Sequence, residues 1–401
     1  MTSRLHTYLY TYPWTLHQQG VAEGLRTIRD RGGLDAISVP FQYHSALIVE
    51  PHSFGSRVRY TEQTASHHFV PETSRYEGGA IQPLPTELAL AEDPMRAIRD
   101  GCRDEGLGFI AWVVALHGSV LGGRHPELVQ RSVYDDPLRP GLCPAHPEVR
   151  DFLATLLQDI AVNYEPDVIE LESLEFLPLL HGYHHELLGI SLDPYHETLL
   201  GLDFHPETLA AIEARGVDVE YVANFVRTTL DRFFASEAEE GVTDLEHFPR
   251  VLIDEPELAA FMRARLDIII DLAAHLREAV QAVSSIPLQV LTECWHPLHL
   301  SWIEGQSPER LLDAVDLMAV PFYFETPQEG EREAATLRRR TSSVDRVVGA
   351  INSIPPHTTS EQQQREMVDV ITGAGIDKLS FYNYSLIRPE RLDWIRDATR
   401  P

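Results

Sequence analysis

The amino-acid sequence predicts an α/β protein that forms a single (β/α)8 barrel, the TIM-barrel architecture, over residues 1–401. The main observation is a phrase that occurs four times, in which an aspartate is followed at the second and fourth positions by apolar residues. Its copies are LDAISVPF, PDVIELES, VDLMAVPF and IDKLSFYN. The length of the chain agrees with this fold, because 401 residues exceed the roughly 250 of a minimal barrel but stay within the range that such barrels reach with insertions. A hydrophobic content of 43% is enough for a large core.

The four phrases predict the even-numbered strands, and four β-branched or aromatic runs between them predict the odd-numbered ones. These runs are Leu5–Tyr12, Phe109–Gly118, Leu288–Trp295 and Val347–Ile354. Amphipathic helical patterns separate the strands, one beginning at His146-Pro147 and another after Asp254, where Pro256 occupies the first turn. Alternating strands and helices indicate a parallel sheet.

Two connections are too long to be plain barrel turns, and they predict insertions after strands two and four. The insertions cover about 45–93 and about 177–250, and both are rich in histidine and aromatic residues. Because both follow even strands, they lie at the carboxyl face of the barrel, where barrel enzymes carry their active sites. We expect them to meet over the mouth and narrow it into a pocket.

The composition limits the kinds of partner that the protein is expected to bind and the cellular compartment in which it is expected. A formal net charge of -28 argues against nucleic acid and anionic membrane, and it suits a neutral ligand such as a small carbohydrate. No stretch approaches the roughly 20 apolar residues of a membrane span. The N-terminus lacks a signal-peptide pattern, and the 3 cysteines form no disulfide framework. The sequence therefore predicts a cytoplasmic protein.

The strand phrase also predicts which side chains point into the barrel. Side chains alternate between the two faces of a strand, and the apolar second and fourth positions belong under the helices. The third, fifth and seventh positions then face inward, and on strand four the third and fifth are Glu170 and Glu172. Folding alone does not explain two acids on the inner face of one strand.

The run Asp167-Val-Ile-Glu-Leu-Glu172 resembles the fourth strand of retaining barrel glycosidases in the alpha-amylase family and in similar uncharacterised glycosyl hydrolases. The preceding run, AHPEVRDFLATLLQDIAVNYEPD, is similar to the helix before that strand. The resemblance implies that Glu172 is the nucleophile or base and that Glu170 is its partner. Val168 stands where these families have glycine, and Glu172 where they have aspartate.

The same resemblance implies a general acid at the end of strand five, where the sequence LTECW places Glu293. Glu325, at the end of strand six, is the alternative acid. Candidate carbohydrate-binding residues with aromatic faces or polar tips occur at other strand ends and in the insertions. They are Tyr12, Trp14, His44, Trp112, His117, His184, His185, Trp295, Tyr323, Asn352, Asn383 and Tyr384.

The sequence thus predicts a glycoside hydrolase that uses two carboxylates and no cofactor, with a pocket suited to exo action. One alternative is a sugar isomerase or epimerase that uses a divalent metal. In that case His181, His184, His185 and Glu186 would supply ligands. The irregular spacing of these histidines disfavours a metal site, so we predict none. A second alternative is a barrel that binds carbohydrate without turnover.

Overall fold

A computed structural model describes residues 6–51, 53–61, 64–181, 187–235 and 248–400. Eight parallel strands form a closed barrel, which confirms the predicted fold class. In chain order they are β1 (Thr7–Tyr10), β2 (Ala36–Gln42), β3 (Gly108–Val114), β4 (Val168–Glu172), β5 (Leu288–Leu291), β6 (Leu317–Phe322), β7 (Val347–Asn352) and β8 (Lys378–Tyr382). Each strand pairs with its neighbours in sequence, and β1 closes the barrel by pairing with β8.

Helices lie between the strands and also form part of the long connections. Their bounds are Pro13–Gln19, Val21–Arg26, Glu87–Glu92, Pro94–Glu105, Ser119–Arg124, Pro147–Tyr164, Pro194–Gly201, Pro206–Glu213, Val219–Ala235, Phe248–Asp254, Pro256–Gln281, Pro308–Ala314, Pro327–Arg340, Glu361–Gly373 and Glu390–Thr399. Among the described residues, no helix combines the length and the apolar character that a membrane crossing requires.

Two separate clusters of buried side chains show that the predicted alternation of faces is correct. The apolar positions of the recurring phrase, such as Ile169 and Leu171, belong to the cluster between strands and helices. The other positions fill the barrel interior, where Ala319 lies in a second cluster with aromatic residues of β1 and β3. The third-position residue Glu170 is fully buried and contacts other interior side chains.

The aspartate of the phrase has a structural role at the amino-terminal end of the barrel. Asp35 accepts a hydrogen bond from the backbone N–H of Thr7 at 3.0 Å. Asp167 does the same for Phe109 at 2.9 Å, and Asp316 for Leu288 at 3.0 Å. In each case the aspartate before an even strand holds the start of the preceding odd strand. This contact is shared by three of the four copies of the phrase, whereas Asp377 in the fourth copy accepts a hydrogen bond from Lys378 Nζ at 3.1 Å.

The connections contain structure that the sequence pattern did not predict. After β2, an antiparallel hairpin (Ala46–Val49 with Val58–Thr61) is followed by chain that returns along the outside of the barrel. After β3 comes a second hairpin, Val129–Arg131 with Pro137–Leu142. All four odd strands also end earlier than predicted. For β5 the reason is local, because the side chain of Glu293 accepts hydrogen bonds from the backbone of residues 295 and 296 and turns the chain.

Candidate active site

Glu172 is the last residue of β4 and is half-buried at the carboxyl-terminal mouth of the barrel. Burial raises the pKa of its carboxyl group to about 7; the Trp112 side chain lowers the pKa, and the charge of Glu170 raises it further. A carboxylate in these surroundings can serve as a base or nucleophile near neutral pH. The structure therefore places Glu172 where the sequence predicted it.

Three tyrosine hydroxyl groups form a cluster beside Glu172. The Tyr12 hydroxyl oxygen lies 2.8 Å from that of Tyr382 and 2.9 Å from that of Tyr43. Burial is the largest cause of the raised pKa of all three phenols, and the charge of Glu172 raises each of them further. They therefore remain neutral and can donate or accept hydrogen bonds, as the recognition of sugar hydroxyls requires.

Trp112 lies beneath this tyrosine cluster in the barrel interior. Its ring centroid is 5.2 Å from those of Tyr10 and Tyr43, in edge-to-face contacts. The buried indole N–H interacts with the Glu172 carboxylate, whose pKa it lowers. Trp112 thus supports Glu172 from inside the barrel.

Glu170 points inward as predicted, but it lies deeper than Glu172 and is sealed from solvent. Its carboxylate accepts hydrogen bonds from the Tyr8 hydroxyl at 2.6 Å, from Ser38 at 3.3 Å and from the Gln289 amide. Burial raises its pKa, and the hydrogen bonds from these partners oppose that rise. These contacts make Glu170 part of the polar centre of the barrel.

Glu293 follows β5 and is only 5% exposed. One carboxylate oxygen accepts hydrogen bonds from the backbone N–H groups of Trp295 at 2.7 Å and His296 at 3.0 Å. The other oxygen is buried without a partner among the described residues. Burial, followed by the charge of Glu304, raises the pKa of Glu293 to about 8. A carboxyl group that stays protonated at neutral pH suits a general acid.

Further polar residues around Glu293 were not predicted from the sequence. Glu175 and Glu304 are both buried, and Gln306 connects the ends of β4 and β5 by donating to Glu175 at 2.8 Å and accepting from the Glu293 N–H at 2.9 Å. His296 Nδ1 lies 3.2 Å from a carboxylate oxygen of Glu304. Glu175 was visible as a third acid in ELESLE, but the positions of Glu304, His296 and Gln306 depend on irregular loops.

A row of four rings in contact with one another runs along one side of the mouth. The His44 and His117 rings stack at 4.2 Å, and His181 lies 4.5 Å from His117 and 4.1 Å from Trp295. Burial is the largest cause of the lowered pKa values of all three histidines, so they are neutral near pH 7. This row joins the connections that follow β2, β3, β4 and β5. It includes three of the predicted binding residues.

The remaining predicted residues differ in their positions. Tyr323 is half-buried near Glu172, whose charge contributes to its raised pKa after the larger effect of burial. Asn352 pairs with His357 at 3.0 Å at the end of β7. Asn383 is fully buried. Glu325 lies on the exposed rim. His184, His185 and Glu186 lie outside the described residues.

Two predicted residues are not brought together with Glu172. Trp14 is buried under the hairpin after β2, where its indole N–H donates to Glu50 at 2.6 Å. Tyr384 was expected to face inward, but it lies in the cluster between the barrel and the helices, and its hydroxyl donates to Gln19 at 2.8 Å. The reason is that β8 ends at Tyr382, so the alternation of faces no longer applies two residues later.

A cavity of about 720 Å³ adjoins the tyrosine cluster. Its walls are the hairpin strand Ala46–Val49, the three clustered tyrosines and the chain after β7 and β8, including Ile354 and Arg388. Leu47 and Val49 are exposed in this hairpin. The volume lies in the range of small-molecule sites and is ample for one or more sugar rings.

Comparison with solved structures agrees with the fold that the sequence resemblance implied. The glycoside hydrolase domain of PgaB (BpsB) from Bordetella bronchiseptica matches with a TM-score of 0.62 and 14% identity, over 98% of this chain and 97% of that one. The catalytic domain of beta-amylase from Paenibacillus polymyxa matches with a TM-score of 0.59 and 10% identity, over 99% of both chains. Alpha-L-fucosidase isoenzyme 2 from Paenibacillus thiaminolyticus has a TM-score of 0.55 and 11% identity, over 98% of this chain and 48% of its own. No protein-family model and no curated protein matches the sequence.

Proposed function

We propose that the protein is a glycoside hydrolase whose catalytic pair is Glu172 and Glu293. The observation that carries the proposal is the position of Glu172 at the end of β4, beside the tyrosine cluster, and of Glu293 just after the end of the paired strand β5. Glu172 acts as nucleophile or base, and Glu293 protonates the departing oxygen. The similarity in fold to glycoside hydrolase structures supports the proposal.

The substrate proposed for this site is a small neutral carbohydrate. The half-buried ring of Tyr382 can pack on sugar C–H groups while the phenol hydroxyls of the cluster bond to sugar hydroxyls. The row from His44 to Trp295 limits the mouth on one side, which favours a terminal sugar and exo action.

A panel of aryl glycosides assayed with and without EDTA tests this function. We expect release of the aryl alcohol from at least one glycoside, and we expect the rate to persist after chelation because neither acid needs a metal for its role. Activity that disappears with EDTA and returns with a divalent ion would favour the isomerase alternative. Sugar binding without any turnover would favour a non-catalytic barrel.

Replacing Glu293 with glutamine should produce losses that depend on the leaving group. A general acid contributes roughly 10²–10⁴-fold when the departing oxygen needs a proton. Hydrolysis of alkyl or sugar glycosides should therefore fall by about that factor, while dinitrophenyl glycosides, whose phenolate leaves unaided, should retain most of their rate. The measurement is kcat on both substrate types for E293Q. Equal losses on both types would exclude Glu293 as the acid.

The pKa of Glu172, raised to about 7, predicts the acidic limb of the pH profile. Glu172 must be ionised to act, so kcat/KM should fall about tenfold per pH unit below about pH 7. The groups around it are the carboxyl groups of Glu170 and Glu175, the Cys294 thiol, the Trp112 indole and four phenols. The phenols belong to Tyr12, Tyr43, Tyr323 and Tyr382. An acidic limb near pH 4 would contradict the assignment.

A further inference from the structure

Glu293 and two neighbouring side chains are close enough together to hold a metal ion. One ligand atom from each of Glu293, His296 and Glu304 lies within 4.8 Å of the other two. The chain between β5 and β6 supplies all three, because His296 follows Glu293 in the turn and Glu304 ends a short 3₁₀ helix, Ser301–Glu304. Two carboxylates and an imidazole form a mixed oxygen and nitrogen ligand set, which suits zinc.

An unpaired oxygen gives independent evidence for a missing partner. Glu293 is only 5% exposed, and one of its carboxylate oxygens has no hydrogen-bond partner among the described residues. A buried polar atom without a partner costs about 1–3 kcal/mol, and more when it is charged. A bound cation would supply the missing contact.

The charges around Glu293 also favour a bound cation. Glu175, Glu293 and Glu304 are all buried, and in the described part of the chain none of them forms an ion pair with arginine or lysine. The buried Arg265, which interacts with the charge of Glu304 at a distance, donates to the Ile303 carbonyl at 2.7 Å and lies over the Phe176 ring. Buried like charges repel strongly unless protons or a cation neutralise them.

The geometry and access also fit a cation. In a tetrahedral zinc site with bonds of about 2.0–2.2 Å, neighbouring ligand atoms are about 3.3–3.6 Å apart. The observed 3.2 Å between His296 Nδ1 and the Glu304 oxygen is close to that spacing. His296 and Glu304 also line a cavity of about 70 Å³, large enough for an ion and a water molecule.

We propose that Glu293, His296 and Glu304 bind a divalent cation, with zinc the best match to the ligand set. A consequence that rests on the proposed function is that this cation inhibits the enzyme. Glu293 binds a metal only as a deprotonated carboxylate and acts as an acid only when protonated, so metal binding and acid catalysis exclude each other.

Binding of Zn²⁺ alone, measured by calorimetry and by equilibrium dialysis on EDTA-treated full-length protein, tests the site without any sugar. We expect one high-affinity Zn²⁺ per chain, and a more than about tenfold weaker affinity in H296A, E304Q and E293Q, since even outer-shell residues are worth 10–100-fold. The control H125A removes a half-buried histidine outside this cluster, which pairs with Glu127 at 3.3 Å, and it should bind like the wild type. Circular dichroism shows whether each variant is folded. If E293Q and E304Q unfold, the comparison with the control rests on H296A.

The site is refuted if the wild type binds no Zn²⁺ at millimolar concentration, or if the folded H296A variant binds it as well as H125A does. Inhibition is measured separately, as the loss of glycosidase rate on adding Zn²⁺ and its recovery with EDTA. Binding without any glycosidase activity would contradict the proposed function and leave the metal site intact. If Zn²⁺ binds to an active enzyme without lowering its glycosidase rate, metal binding and acid catalysis by Glu293 do not exclude each other.

Discussion

Replacement of Glu172 with glutamine is expected to lower turnover by at least about 10³-fold while the protein stays folded and still binds its sugar. The reason is that glutamine keeps the size of the side chain but cannot be ionised, and positioned acid and base groups contribute up to about 10⁴-fold. Because Glu172 is half-buried at the mouth and glutamine keeps an acceptor oxygen for the Trp112 indole, the free energy of unfolding should hardly change. The measurements are kcat, sugar affinity and chemical denaturation of E172Q.

A matched control for this variant is E325Q, the same substitution on the exposed rim. Glu325 was the alternative acid in the sequence, so the control also tests that assignment. We expect E325Q to retain wild-type turnover. If E172Q instead retains the wild-type rate on the true substrate, Glu172 is not the nucleophile or base, and Glu170 becomes the next candidate.

Replacement of Glu170 with alanine should mainly reduce stability, by about 2–4 kcal/mol in the free energy of unfolding. The substitution leaves the buried Tyr8 hydroxyl and the Gln289 amide without their shared acceptor, and each orphaned group costs about 1–3 kcal/mol. Urea denaturation of E170A measures the loss. The isosteric variant E170Q keeps an acceptor oxygen and should lose less. Equal stability of E170A and wild type would contradict the structural role given to Glu170.

The barrel could be predicted from the sequence because its signals are periodic. On β4 the apolar residues Ile169 and Leu171 mark the face that lies under the helices. Counting one residue further along the strand places Glu172 on the inner face. The same counting identifies Tyr382 as inward-facing, although it was not among the predicted binding residues. It fails for Tyr384, because a strand that has ended no longer imposes its alternation.

The unpredicted part of the site comes from irregular chain. Tyr43 reaches the tyrosine cluster only because the chain turns after β2, and Glu304 and Gln306 approach Glu293 from a loop that has no repeating pattern. Such contacts depend on three-dimensional packing over many residues. Their chemistry is visible in the sequence only as isolated acids and amides.

The aspartates at the amino-terminal end of the barrel have a consequence for the opposite end. Asp167 ties the beginning of β4 to β3, and Glu172 stands only five residues further along the chain. A strand is stiff over that length, and a shift of one residue would reverse every side chain on it. The hydrogen bond to Asp167 therefore fixes the register of β4. It sets the position and the side-chain direction of Glu172 at the mouth, although Asp167 lies at the end of the barrel that no substrate touches.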